Sequence, residues 1–355
     1  MILSSLSSEP QSQSISSLSR KPFQRIYIKK NQRSTMSSQS VKLIFGGASF
    51  GPAMESEFTT VEATKGALGL LEAGGVTSID TARMYPDSED YLGQAGAAAR
   101  FAIDTKYPGG FSPTPSSKEG LIASADESVQ TLKTKQVDVY YIHAPDRRVP
   151  LQDLLAGLDA VFRSGKFKRL GLSNFLPEEV KEVIRICKEN DYVLPSVYQG
   201  NYNAVARHSE STLLPILREN NIAFYAYSPI AGGFLTKDVS SLIGGGEGRW
   251  DPKTPTGGLF NALYTKPGML EGLKLWGEIA AEAGISKAEL AYRWVAYHSI
   301  LKEGDGLIFG ARNGKQIQST LEGLKNGPLP SDAVEEIERV WEIVKDEAPV
   351  DNFNR

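Results

Sequence analysis

Four side chains in the first half of the chain could together give a proton to a carbonyl oxygen. Asp80 and Tyr85 lie in Ser78-Ile79-Asp80-Thr81-Ala82-Arg83-Met84-Tyr85, Lys106 in FAIDTKY, and His143 in VYYIHAPD. Each segment is a short apolar, β-branched or aromatic run that stops at an ionisable group, as a strand does when it delivers a residue to a sheet rim. A phenol is a poor acid at neutral pH, with a pKa of about 10. A nearby Lys ammonium stabilises the phenolate and lowers that value, and a carboxylate paired with the Lys holds the ammonium in place. A neutral imidazole can hydrogen-bond the oxygen that receives the proton. Singly, each residue has a plainer explanation: Asp80 as a turn or cap, Tyr85 as half-buried packing, Lys106 as a solvated side chain, His143 as a satisfied core histidine. Their shared position at the ends of successive strand-like runs argues for one site, at the C-terminal face of a (β/α)8 barrel.

The elements that would position them alternate along the chain. VKLIFGGASFG, from Val41, reads as a first strand with glycines at its mouth, without the G-x-G-x-x-G order of a Rossmann loop. A helix ending at Gly74-Gly75 leads to the strand that carries Asp80, with Tyr85 just beyond it. Helical EDYLGQAGAAA precedes the strand with Lys106, and SKEGLIASADESVQTL precedes VDVYYIHA. The second half repeats the pattern. LQDLLAGLDAVFRSG leads to KRLGLSNF, and a helix opened by Pro177, with Val180, Val183, Ile184 and Cys187 on one face, leads to SVYQGNYN. Cys187 reads as a core thiol. STLLPILREN, kinked near its start by Pro215, leads to IAFYAYSP. Residues 230–268 lose periodicity and read as a long irregular loop covering a bound ligand. Helices over about 269–284 and 286–300 precede the strand GLIFG, and a last helix from Ser331 turns Val334, Ile337, Val340, Trp341 and Val344 to one side. Strict strand–helix alternation predicts a parallel sheet, hence an α/β (β/α)8 TIM barrel with a long loop after strand seven and extra helices.

The sequence has 355 residues, 41% hydrophobic and 23% charged, enough for one barrel with a full core. A net charge of −3 with no basic stripe disfavours nucleic acid, leaving a small molecule as the expected partner. One cysteine and three histidines make no disulfide and no familiar zinc set, so no metal is expected. No apolar run reaches the ~20 residues that cross a bilayer, so no membrane partner is expected. Residues 1–40 are serine-rich and basic, with a single acid, Glu9, and cannot bury a core. Two readings of this tail stand: a mitochondrial transit peptide, or a leader ahead of a start at Met36. The barrel domain is expected over 41–355, in a cytoplasmic monomer or homodimer, with the mitochondrion as the alternative location.

The four residues, with YIHAPD, GLSNF, FYAYSPIAGGFLT and IFGA in this order and spacing, resemble the aldo-keto reductase superfamily. HAPD and the AGG stretch are similar to its aflatoxin-aldehyde and succinic-semialdehyde reductase branch. The resemblance covers roughly residues 41 to 355. It implies NADPH-dependent reduction of aldehydes and ketones, with Tyr85, Asp80, Lys106 and His143 as the catalytic tetrad. Ser173, Asn174 and Gln199 would hold the nicotinamide carboxamide and Tyr227 would stack on the ring. Ser228, Pro229, Gly232, Leu235, Lys237 and Arg249 would clamp the pyrophosphate, with Gly47, Ala48, Asp80 and Gly310 also on the cofactor. Arg312 and Gln316 would face the adenosine end, where a guanidinium suits the 2′-phosphate of NADPH. Arg312, Asn313 and Thr320 depart from the family pattern there. Arg83 either meets an anionic substrate or pairs with a rim acid, and Tyr202, Phe353 and Arg355 are candidate substrate walls. The resemblance also admits a rival, a nucleotide-binding regulatory barrel like the potassium-channel β-subunits, with little turnover.

Overall fold

The computed structural model describes residues 41–354, apart from Met54, Glu247 and the side chain of Arg249. The basic tail with Met36, the Arg249 side chain and Arg355 thus lie outside the described residues. Eight parallel strands close a barrel in chain order: β1 (Lys42–Gly46), β2 (Ser78–Asp80), β3 (Ala102–Tyr107), β4 (Val137–Ile142), β5 (Phe167–Ser173), β6 (Pro195–Asn201), β7 (Ala223–Tyr227) and β8 (Gly306–Phe309). This is the (β/α)8 TIM barrel that the alternation implies.

Period-two alternation divides each strand between two cores. Ile44, Val139, Tyr141, Val197, Tyr225 and Ile308 fill the barrel, while Phe45, Ile103, Tyr140, Leu172, Phe224 and Phe309 pack outward beneath the helices. Because both faces are buried, the strands read as nearly continuous apolar runs.

Caps fix the helix boundaries. Thr60 Oγ1 accepts from Ala63 N–H at 3.1 Å to open helix Val61–Ala73, and Gly75 follows its end in the left-handed region at φ 80°. Pro177 opens Pro177–Asn190, where the Glu179 carboxylate reaches back to Leu176 N–H at 2.8 Å. Cys187 is buried on this helix, and burial pushes its thiol up to about 12. Near Pro215 the expected kink is a full break, between Ser209–Thr212 and Leu214–Glu219. The last helix, Ser331–Val344, buries Ile337, Val340 and Val344 against Pro267–Glu282, each worth about 1.5–3 kcal/mol.

The stretch 230–268 is more ordered than its composition suggests. It holds 3-10 turns at Ala231–Thr236 and Gly248–Trp250 and helices Val239–Ile243 and Pro255–Tyr264. Thr254 caps the last by accepting from Gly257 N–H at 3.0 Å, and rings of Phe234, Trp250, Phe260 and Tyr264 pack on one another as its core. Among the described residues, no helix is long and apolar enough to cross a membrane, and no cluster of His, Cys, Asp or Glu could hold a metal ion.

Candidate active site

Adjacent strands β2, β3 and β4 assemble the four ionisable groups. Asp80 ends β2 opposite Asp104 of β3, and the chain beyond keeps to β3 through Thr81 N–H to Asp104 O at 2.7 Å and Arg83 N–H to Lys106 O at 3.2 Å. A turn closed by Tyr85 N–H to Ala82 O at 3.0 Å then swings the phenol back over the barrel mouth. His143 continues β4 beside β3 by donating its N–H to Tyr107 O at 2.8 Å.

The Lys106 ammonium is fully buried. It lies 2.6 Å from Asp80 Oδ2 and donates to Thr81 O at 2.8 Å, while Gln199 Nε2 donates to Asp80 Oδ1 at 2.8 Å. It sits 5.2 Å from the centroid of the Tyr85 ring. Burial alone would lower the Lys106 pKa, but the Asp80 charge, the Tyr85 phenol and the hydrogen bond to Asp80 outweigh it and hold the pKa above its ordinary value. His143 packs edge-on to Tyr85, with centroids 5.7 Å apart. Burial, reinforced by the Lys106 charge, holds its imidazole pKa well below the ordinary value, so the ring is neutral at neutral pH. The arrangement can deliver one proton from a phenol beside a sealed cation while a neutral imidazole donates a hydrogen bond to the same oxygen.

A cleft of about 490 Å³ opens from this cluster toward the loops after β7 and β8. Asp80, Tyr85 and His143 line it, as do Ala48, Ser173, Asn174, Gln199, Tyr227, Ser228, Pro229, Gly232, Lys237, Gly310, Arg312 and Gln316. Asn174 is already fixed within the protein: Nδ2 donates to His143 O at 2.8 Å and Oδ1 accepts from Tyr227 OH at 2.9 Å. That bond also sets the Tyr227 ring plane. Ser228 and Ala231 take left-handed backbone at φ 56° and 53°, followed by Gly232 and Gly233. A Cβ on Gly232 would run into the Phe260 ring. At the far end Arg312 is half-exposed, 3.7 Å from Glu55, and Gln316 Oε1 accepts from Arg312 N–H at 2.7 Å. Thr320 hydrogen-bonds Tyr292, another residue of the cleft wall.

Three expected site residues, Tyr202, Gly47 and Leu235, need correction. Tyr202 is not a substrate wall: it follows the inward-facing Asn201 and turns outward, where its ring packs on Phe224 and Trp294 and its OH donates to Glu210 Oε1 at 2.7 Å. Arg83 takes the rim-pairing alternative, bound to Glu89 at 2.7 Å and Glu127 at 2.5 Å. Gly47 and Leu235 are buried behind the wall, Gly47 with its carbonyl accepting from Ser88 Oγ at 2.8 Å. Phe111, Trp250, Phe260 and Asn352 were missed and line the cleft. Phe111 contacts both His143 and Phe353, with centroids 5.1 and 5.0 Å apart. The signal for Phe111 was an aromatic residue just after the glycine turn that ends β3, where Gly109 at φ 57° lets the loop press on the Ala144 carbonyl.

The sequence profile of the aldo/keto reductase family matches residues 42–342. The chain belongs to the aldo/keto reductase family. It is 35% identical over 316 residues to the protein named oxidoreductase sirO of Leptosphaeria maculans, covering 86% of this chain and 95% of that one. It is 34% identical over 293 residues to aflatoxin B1 aldehyde reductase member 2 of Homo sapiens, covering 78% and 80%. It is 33% identical over 295 residues to aldo-keto reductase family 7 member A3 of Homo sapiens, covering 78% and 87%. As an aldo-keto reductase, the protein is an oxidoreductase of carbonyl compounds.

Proposed function

We propose that the protein reduces aldehydes and ketones to alcohols, with NADPH as reductant and Tyr85 as proton donor. The observation that carries this reading is the Lys106–Asp80 ion pair sealed against the Tyr85 ring. A dinucleotide fits the donor set: the cleft runs from the ion pair, past left-handed backbone at Ser228–Gly233, to the half-exposed Arg312 guanidinium. Bound there, the reduced nicotinamide would supply the hydride that the carbonyl carbon accepts.

The protein's own residues do the rest. Lys106 favours the developing Tyr85 phenolate as the phenol gives its proton to the carbonyl oxygen. Asp80 and the Thr81 carbonyl hold the ammonium in place. His143, kept neutral, donates a ring N–H to the same oxygen and so orients the carbonyl. Ser173, Asn174 and Gln199 would hold the carboxamide, and the fixed Tyr227 ring would stack on the nicotinamide. Ser228, Pro229, Gly232, Lys237 and Arg249 would hold the pyrophosphate. Arg312 would read the 2′-phosphate, with Gln316, Gly310 and Ala48 beside it. Phe111 and Phe353 would form the substrate side. The likeness to proteins named aflatoxin B1 aldehyde reductases makes aldehydes the first class to test.

The deciding variant is Tyr85→Phe, assayed for NADPH oxidation with an aromatic aldehyde and for NADPH binding by fluorescence quenching. Binding should persist while turnover is lost; turnover at the parent rate would remove Tyr85 from the reaction.

A further inference from the structure

The mechanism above uses one of two carboxyls that face each other inside the barrel. Asp104 stands two residues before Lys106 on β3, so alternation turns both side chains inward. Its Cα pairs with that of Asp80, and its Oδ1 accepts from Val139 N–H at 3.2 Å. The carboxyl is fully buried, and its Oδ2 has no hydrogen-bond partner among the described residues. The buried hydroxyls of Ser78 on β2 and Tyr141 on β4 likewise have none.

Charged and titratable groups face Asp104 from every side: Lys42 from β1, Asp80 from β2, Lys106 from its own strand, Asp138 and Tyr141 from β4, Arg169 from β5 and Tyr225 from β7. None of the cations hydrogen-bonds it among the described residues. Lys106 bonds Asp80 and the Thr81 carbonyl, and Arg169 bonds Asp138 and the Tyr225 hydroxyl. Two neighbouring carboxyls therefore share one buried ammonium, which is committed to Asp80. Burial first, then the Asp80 charge, push the Asp104 carboxyl up to about 8.

We propose that Asp104 is a positioning residue acting through Lys106: an uncharged carboxylic acid at neutral pH, whose ionisation weakens the ammonium's influence on the Tyr85 phenol. The inference rests on the proton-donor role proposed for Tyr85. While Asp104 keeps its proton, the Lys106 charge is shared between Asp80 and the phenol alone. When Asp104 releases its proton to bulk water, a second buried negative charge draws on the same ammonium. The phenol then becomes the weaker acid, and carbonyl reduction slows.

The test compares parent and Asp104→Asn protein by kcat at saturating NADPH from about pH 6 to about pH 10. The amide copies the neutral acid in shape and in having one acceptor and one donor end. The parent kcat should step down through about pH 8, and the variant should keep its neutral-pH rate within several-fold and lack the step. Superimposable profiles from two folded proteins would overturn the proposal. Stability supplies a readout independent of turnover. An unfolded Asp ionises near pH 4, whereas the native carboxyl holds its proton to about pH 8, so its contribution is full below about pH 4 and is lost as pH rises through about 8. Asp104→Asn should therefore melt above the parent at pH 9. If the variant does not fold, infrared spectra of the parent decide: a protonated-carboxyl band at neutral pH that vanishes above about pH 8 supports the proposal, and its absence at neutral pH overturns it. Neither melting nor infrared needs a working reductase, so failure of the reductase reading would be told apart from failure of this one.

Discussion

The two ends of the cleft are built on different principles. At the β2–β4 end, the functional groups belong to strands or their first extensions, and a buried ion pair with satisfied partners holds them. At the β7–β8 end, the wall is a run of short helices and left-handed turns strapped by four aromatic rings. Removing one partner of a buried ion pair strands a charge, which couples the chemistry at the first end to the stability of the whole barrel. The second end carries mostly local packing, so it can loosen without unfolding the barrel.

If that contrast is right, the largest effect falls on turnover at the first end. Tyr85→Phe should cut kcat by about 10²–10⁴-fold with the melting temperature nearly unchanged, because the hydroxyl supplies the proton and the ring supplies the packing. Next, Asp80→Asn should lose activity and about 3–5 kcal/mol of stability together, read by denaturant unfolding. A variant that lost activity alone would break the coupling claimed for this end. At the other end, Gly232→Ala must displace Phe260 and strain the backbone, costing about 1–3 kcal/mol locally. It should raise the Kd for NADPH, measured by fluorescence quenching, while leaving the barrel's melting temperature in place. Arg312→Gln should weaken NADPH several-fold and leave NADH unchanged; equal losses for both would detach Arg312 from the phosphate. The smallest effect concerns pH. His143 has its pKa depressed below about 6.5, so the stability it contributes is present above that value and is lost as pH falls through the native value, at up to about 1.4 kcal/mol per unit. Acid melting curves should accordingly be flatter for His143→Gln than for the parent.

The sequence was most informative where local pattern and tertiary role coincide. Asp80, Lys106 and His143 close short runs rich in β-branched and aromatic residues, so strand, direction and rim position could all be read together. Tyr85 was harder, since it sits on a turn, and only its distance from Asp80 tied it to the site. The helices of 230–268 escaped notice because segments of only five and ten residues show little periodicity; the cap at Thr254 and Pro255 was the local sign of one. Tyr202 was misplaced because its parity went unused: alternation from the inward-facing Val197, Gln199 and Asn201 turns the next side chain outward. The role of Arg83 hung on Glu89 and Glu127, whose proximity is a property of the fold.

The lone cysteine gives the molecule a built-in clock. With Cys187 under helix Pro177–Asn190 and its thiolate disfavoured, an alkylating reagent can mark only molecules in which that helix has lifted from the barrel. The labelling rate would thus time an opening motion of the helix that links β5 to β6, with no engineered probe.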